Sequence, residues 1–111
     1  MNYPKEYRDI TRMDVANYLE KRFIKEDSVV SRNVGGEFIL VPIRRSATEV
    51  DSIYTLNEVA ARIWDLIDGV KTVAAIRDAI VGEYEVAPDE AEKDLLDLLM
   101  QLQSVNAVRE A

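Results

Sequence analysis

Two spacings of apolar residues divide this chain. Ser28-Val29-Val30-Ser31-Arg32-Asn33-Val34 and Glu37-Phe38-Ile39-Leu40-Val41-Pro42-Ile43 are β-rich runs separated by Gly35-Gly36. Paired glycines supply the positive φ values that a two-residue turn requires, so the pattern predicts a hairpin over 28–43. Pro42 has no N–H to give a ladder and belongs at a strand end or on an open edge. After a polar loop from Arg44 to Glu49, Val50-Asp51-Ser52-Ile53-Tyr54-Thr55 predicts a third strand. A sheet this small needs a helical layer on one face.

From there the period changes to three and four. Leu56, Val59, Ala60, Ile63, Trp64 and Ile67 mark the buried face of a helix over 57–68, which places Trp64 in the core. Asn57 is a suitable N-cap, Glu58 lies in the first turn, and Gly69 stands where a glycine just past a helix end belongs. A second helix starts at the N-cap Thr72 and runs to Tyr84, burying Val73, Ile76 and Ile80. Pro88 fits the first position of a third helix, which continues to Ser104. Ala107-Val108-Arg109 predicts a short closing strand. Upstream, Thr11-Arg12-Met13-Asp14 is a variant of the capping box, and Met13, Val15, Tyr18, Leu19 and Phe23 follow at loose helical spacing. They predict a short helix over 12–22. The reading is α+β and winged helix-turn-helix-like: a small three-stranded antiparallel sheet packed on three helices, with an extra N-terminal helix. It divides into an extension, 1–25, and a domain, 26–111.

The third helix carries more apolar surface than a core contact needs. At 100° per residue from Leu95, the residues Val105, Leu98, Ala91, Leu102, Leu95 and Leu99 form one stripe. Leu96 and Met100, with Gln103 between them, widen it to roughly 220°, against the ~100° or more of an ordinary surface helix. Asp94 and Asp97 fall on the opposite, solvated side. Either the sheet and helices bury the whole arc, or Leu96, Leu99 and Met100 wall a groove for a partner's side chains.

Composition removes most chemistry. With 111 residues, 48% of them hydrophobic, the chain suits one compact domain. It has no Cys and no His, which excludes thiolate metal sites, zinc fingers and every imidazole-dependent triad. The pairs Asp65/Asp68 and Asp94/Asp97 match solvated helix faces, and Gly35-Gly36 lacks the helix and Lys of a phosphate-cradling loop. No enzyme activity, catalytic residue, metal or cofactor is expected. No apolar stretch reaches the ~18–20 residues of a membrane span, and the charged N-terminus leads into no signal-type apolar segment. A cytoplasmic protein without a membrane partner is expected.

Charge bears on nucleic acid. Residues 1–55 hold nine bases against nine acids, while residues 56–111 hold five against twelve, so the second half carries the whole net charge of −7. The third helix, where a winged helix would read DNA, has Asp89, Glu90, Glu92, Asp94 and Asp97 against Lys93 alone. Phosphate neutralisation rests on cationic side chains, so this surface repels a duplex and no nucleic-acid partner is expected. A DNA-binding regulator remains the alternative by architecture. A structural subunit that binds an enzyme without binding peptide is a further alternative.

Residues 54–69, Tyr54-Thr55-Leu56-Asn57-Glu58-Val59-Ala60-Ala61-Arg62-Ile63-Trp64-Asp65-Leu66-Ile67-Asp68-Gly69, resemble the "L-N-E-x-A-A-x-I-W-x-L-x-D-G" signature of the PqqD-like family. Lys71 to Ile76 continues it, and Gly36 to Leu40 is similar to the family's second strand. The family includes the peptide-binding domains called RiPP recognition elements. The resemblance implies a chaperone that holds the leader of a ribosomally made precursor peptide and presents it to a modifying enzyme, commonly a radical S-adenosylmethionine enzyme. It also implies that the peptide adds as a strand beside the third strand and lies against the third helix. Peptide-facing residues would then be Val50, Ser52, Ile53, Tyr54 and Thr55 on the strand, with Leu95, Leu96, Leu99, Met100 and Gln103 on the helix. Leu56, Asn57, Trp64 and Gly69 are read as structural. An open strand edge is also a route to a homodimer.

Overall fold

The computed structural model of the chain describes residues 12–43 and 54–111, with side chains from Val15 onward. Helix α1 (Arg12–Leu19) leads into strand β1 (Phe23–Lys25). Strands β2 (Val29–Val34), β3 (Glu37–Pro42) and β4 (Tyr54–Leu56) follow, then helices α2 (Glu58–Leu66), α3 (Val73–Tyr84) and α4 (Pro88–Ser104), and strand β5 (Val108–Glu110). The helix expected over 12–22 stops at Leu19, and Phe23 belongs to a strand that its short length hid from any periodicity argument.

The sheet has the order β2-β3-β4 and is antiparallel throughout. Gly35 (φ +59°) and Gly36 (φ +86°) make the hairpin turn, and Val34 faces Glu37 across it. β3 and β4 pair as Phe38–Leu56, Ile39–Thr55 and Leu40–Tyr54. This register puts Phe38, Leu40, Tyr54 and Leu56 on one face, where Leu40 and Leu56 are buried. Thr55 points the other way and is exposed. Pro42 ends β3 opposite Val29, where its missing N–H interrupts nothing further along.

Local chemistry sets the helix starts. The Asn57 side chain accepts the Ala60 N–H at 2.8 Å and that of Thr72 accepts the Ala75 N–H at 3.1 Å. Pro88 occupies the first turn of α4. Gly69 acts differently from the expectation. α2 ends with Ile67 as its C-cap, two residues earlier, and Gly69 (φ +79°) donates its N–H to the Phe23 carbonyl at 2.8 Å. A Cβ there would point at the Ile24 side chain at 3.8 Å. Its left-handed backbone serves the approach of β1.

β1 pairs with β5 as a separate antiparallel ribbon, Phe23 opposite Glu110 and Lys25 opposite Val108. One core joins all layers. Phe23 from β1, Leu40 and Leu56 from the sheet, and Val108 from β5 meet Ile63, Trp64, Ile76, Ile80, Leu95 and Leu99. Val15, Tyr18 and Leu19 of α1 pack on its margin. The ion pairs Arg62–Glu83 (2.8 Å) and Arg77–Glu92 (2.9 Å) link α2 to α3 and α3 to α4 on the outside.

Candidate functional site

Among the described residues β4 has a neighbour on one side only, because β3 pairs with it and no strand pairs beyond it. An extended backbone with an unpaired row of N–H and C=O groups is a template for another strand. Beside that edge runs α4. A cleft of about 350 Å³ lies between them, with Tyr54, Thr55 and Leu56 from the strand and Leu98, Gln101, Leu102 and Val105 from the helix. A second cleft, of about 370 Å³, continues along α4 between Asn57, Ala60 and Ile63 of the α2 side and Ala91, Asp94, Asp97 and Leu98 of α4. Leu98 and Gln101 line both. The result is one trough along α4, apolar on its floor and acidic at one end.

Of the strand residues expected to face a partner, Tyr54 and Thr55 line this trough, while Val50, Ser52 and Ile53 lie outside the described residues. The helix residues sit elsewhere. Leu95, Leu96 and Leu99 are 1%, 6% and 0% exposed, so their side chains are core and offer no surface. Met100 is partly exposed, and Gln103 is exposed, its Oε1 accepting the Tyr18 hydroxyl hydrogen at 2.6 Å. None of these five lines either cleft. Leu98, Leu102 and the C-cap Val105, which the helical wheel assigned to the core stripe, take that role together with Gln101, which it placed on the polar side.

The reason is a second layer. α4 packs against β5 as well as α2 and α3, and Tyr18 of α1 reaches over to Gln103. The apolar arc is wide because two sides of the helix are covered, and the ribbon with α1 covers the side on which a groove was expected. β5 is one of the elements packed on α4, and strands of three residues leave no pattern to read.

Electrostatics follows the same geometry. Asp97, expected on the solvated side, has its Oδ1 closed off from solvent with no hydrogen bond. Burial pushes the Tyr18 hydroxyl pKa well upward, reinforced by the nearby charge of Glu110. Among the described residues no group of three or more acidic side chains converges as a metal site, and no helix is long and apolar enough to cross a membrane.

The family model for coenzyme PQQ synthesis protein D matches residues 37–108, from β3 to the start of β5. The chain belongs to the PqqD family. The match leaves out α1, β1 and β2, so the α1–β1 arm lies outside the region this PqqD family member shares with the model. Two solved structures share the fold. One is TbiB1 in complex with the TbiA(beta) leader peptide, 30% identical, with a TM-score of 0.64 over 78% of this chain and 94% of that one. The other is a lasso peptide synthetase B1 complexed with the leader peptide, 20% identical, with a TM-score of 0.67 over 79% and 98%. The search of curated proteins gave no match.

Proposed function

We propose that this PqqD family member is a non-catalytic, cytoplasmic peptide-binding chaperone. It holds the leader of a ribosomally made precursor peptide by strand addition on β4 and presents it to a modifying enzyme, of the radical S-adenosylmethionine class that the family resemblance implies. The observation that carries the reading is the open edge of β4 beside an apolar trough, with Leu98, Leu102 and Val105 below it. Main-chain hydrogen bonds to the edge give affinity, and the trough gives specificity through alternate side chains. That TbiB1, a 30% identical structure, was solved with a leader peptide supports the assignment. The residues proposed to meet the peptide are Leu98, Gln101 and Val105 along α4, with Tyr54 and Thr55 on the strand, while Leu102, 4% exposed, floors the trough from the core.

The test is titration with leader peptides from short reading frames beside this gene. Leu98 is partly buried on the margin of the core, so Leu98→Glu places a charge in the trough without emptying a core site and should weaken binding at least tenfold, since a buried unpaired charge is costly. Bound peptide should slow amide exchange at Tyr54, Thr55 and Leu56. Unaltered affinity in folded Leu98→Glu, with no new protection on β4, would move the site elsewhere. Co-purification with the modifying enzyme, in the presence and absence of the leader, separates peptide delivery from a purely structural subunit.

A further inference from the structure

The sheet has a second face that the trough does not use. The register of β2, β3 and β4 turns Val30, Val34, Ile39, Val41 and Thr55 away from the helices. On the inner face Val29, Phe38 and Tyr54 pack against the core, whereas Val30, Ile39 and Val41 do not. Val34 is exposed, as is Ile43 just past β3. Four β-branched apolar side chains on adjoining rows of the sheet therefore lie together outside the core. Apolar surface gathered in this way marks an interaction site, where single exposed residues do not.

Charge and area narrow the occupant. Residues 28–43 carry one base, Arg32, and one acid, Glu37, in a chain of net charge −7. A protein approaching this face meets apolar surface of no net charge, away from the acidic helices. The strands are six, six and three residues long. At ~4.8 Å between strands and ~3.4 Å per residue their footprint is roughly 250 Å². A stable complex buries ~800 Å² on each partner, so a second copy of the chain would gain too little here to stay bound. The face suits a contact that another link holds in place. A precursor peptide is such a link, because its leader lies on β4 while its following segment lies in the enzyme, which raises the effective concentration of the two surfaces.

The peptide strand also extends this face. Its residues opposite Tyr54 and Leu56 point into the trough, and the residue opposite Thr55 points outward, in the row that holds Ile39. We infer that the modifying enzyme docks on the outer face of the sheet through a flat, uncharged apolar surface, and that it reads the outward side chain of the bound peptide together with Ile39, Val41 and Thr55. The enzyme thereby distinguishes the loaded protein from the empty one. The inference rests on the peptide-binding reading above and adds the surface that the second partner uses.

The experiment measures binding of the purified modifying enzyme encoded beside this gene to the intact protein, with and without saturating leader peptide. The leader should tighten enzyme binding at least tenfold, and saturating enzyme should tighten leader binding by the same factor, since coupling between sites is reciprocal. Val41→Lys should weaken enzyme binding at least tenfold and change leader affinity less than twofold. Val34→Lys, at an exposed position outside the core, should act in the same direction and tests the face if Val41→Lys melts early. In a series of leaders with Lys at successive positions, one should bind this protein normally and lose the enzyme. Equal enzyme affinity for loaded and empty protein, or enzyme binding unchanged by both variants, overturns the inference and leaves strand addition standing. Sedimentation as a dimer that both variants return to monomer also overturns it, by giving the face to a second copy. A leader that does not bind the intact protein overturns the peptide reading and this inference together.

Discussion

Trp64 is 2% exposed, packed between the sheet and the helices, with the Lys25 ammonium 5.2 Å from its ring centroid. Trp64→Ala should cost roughly 3–5 kcal/mol by emptying a core aromatic site, a large part of the ~5–15 kcal/mol of a typical domain. A chemical denaturation midpoint measures it. Leu96→Glu belongs in the same experiment. Its side chain is buried, so the variant should unfold the protein, whereas Leu98→Glu should remain folded. Asp68 gives a pH signature. The Lys71 ammonium hydrogen bond, and then the N–H groups of Lys71 and Val70, hold its carboxyl well below the usual 3.8. A depressed carboxyl contributes stability that is complete above the unfolded value and is lost as pH falls below it. The Asp68 carboxyl carbon resonance should therefore stay ionised at a pH where most carboxylates have titrated, and Lys71→Met should bring it back toward 3.8.

At the scale of elements, the helices that follow the sheet were legible because each carries both a period and a start signal. Asn57, Thr72 and Pro88 begin α2, α3 and α4 as their residue types require. Asn57→Ala should cost about 1 kcal/mol by removing the bond to the Ala60 N–H, measured as a shift in thermal midpoint. Gly35-Gly36 likewise announced the hairpin. What stayed hidden was of another kind. β1 and β5 are three residues each, and their pairing depends on chain segments more than eighty positions apart. Without that ribbon, the wide apolar arc of α4 could be split correctly into core and partner surface only by chance. The cleft beside β4 lies on another side of α4 from Leu96, Leu99 and Met100, where a groove was expected, because a helical wheel gives the width of an apolar face but not the number of layers that meet it.

At the scale of the molecule, α1 and β1 belong to the same core as the domain they precede. Phe23 is 2% exposed, and the Ala111 N–H is bonded to the Arg22 carbonyl at 2.8 Å. Removing residues 1–25 should expose the Val108 side of α4 and lower the thermal midpoint by more than the loss of a surface helix would. Circular dichroism of the truncated chain checks this. The β1–β5 ribbon has a further consequence, for the order of events during synthesis. β1 is made early, but its hydrogen-bonding partner leaves the ribosome only after α4, so Phe23 waits through most of translation without the strand that covers it. Contacts between distant segments also close slowly, since the intervening chain must first be ordered. In pulse-labelled refolding, amides of α2–α4 should gain protection first, and those bridging β1 and β5 last. The arm outside the region shared with the family would then act as a latch, closing only on a domain whose helices are already assembled.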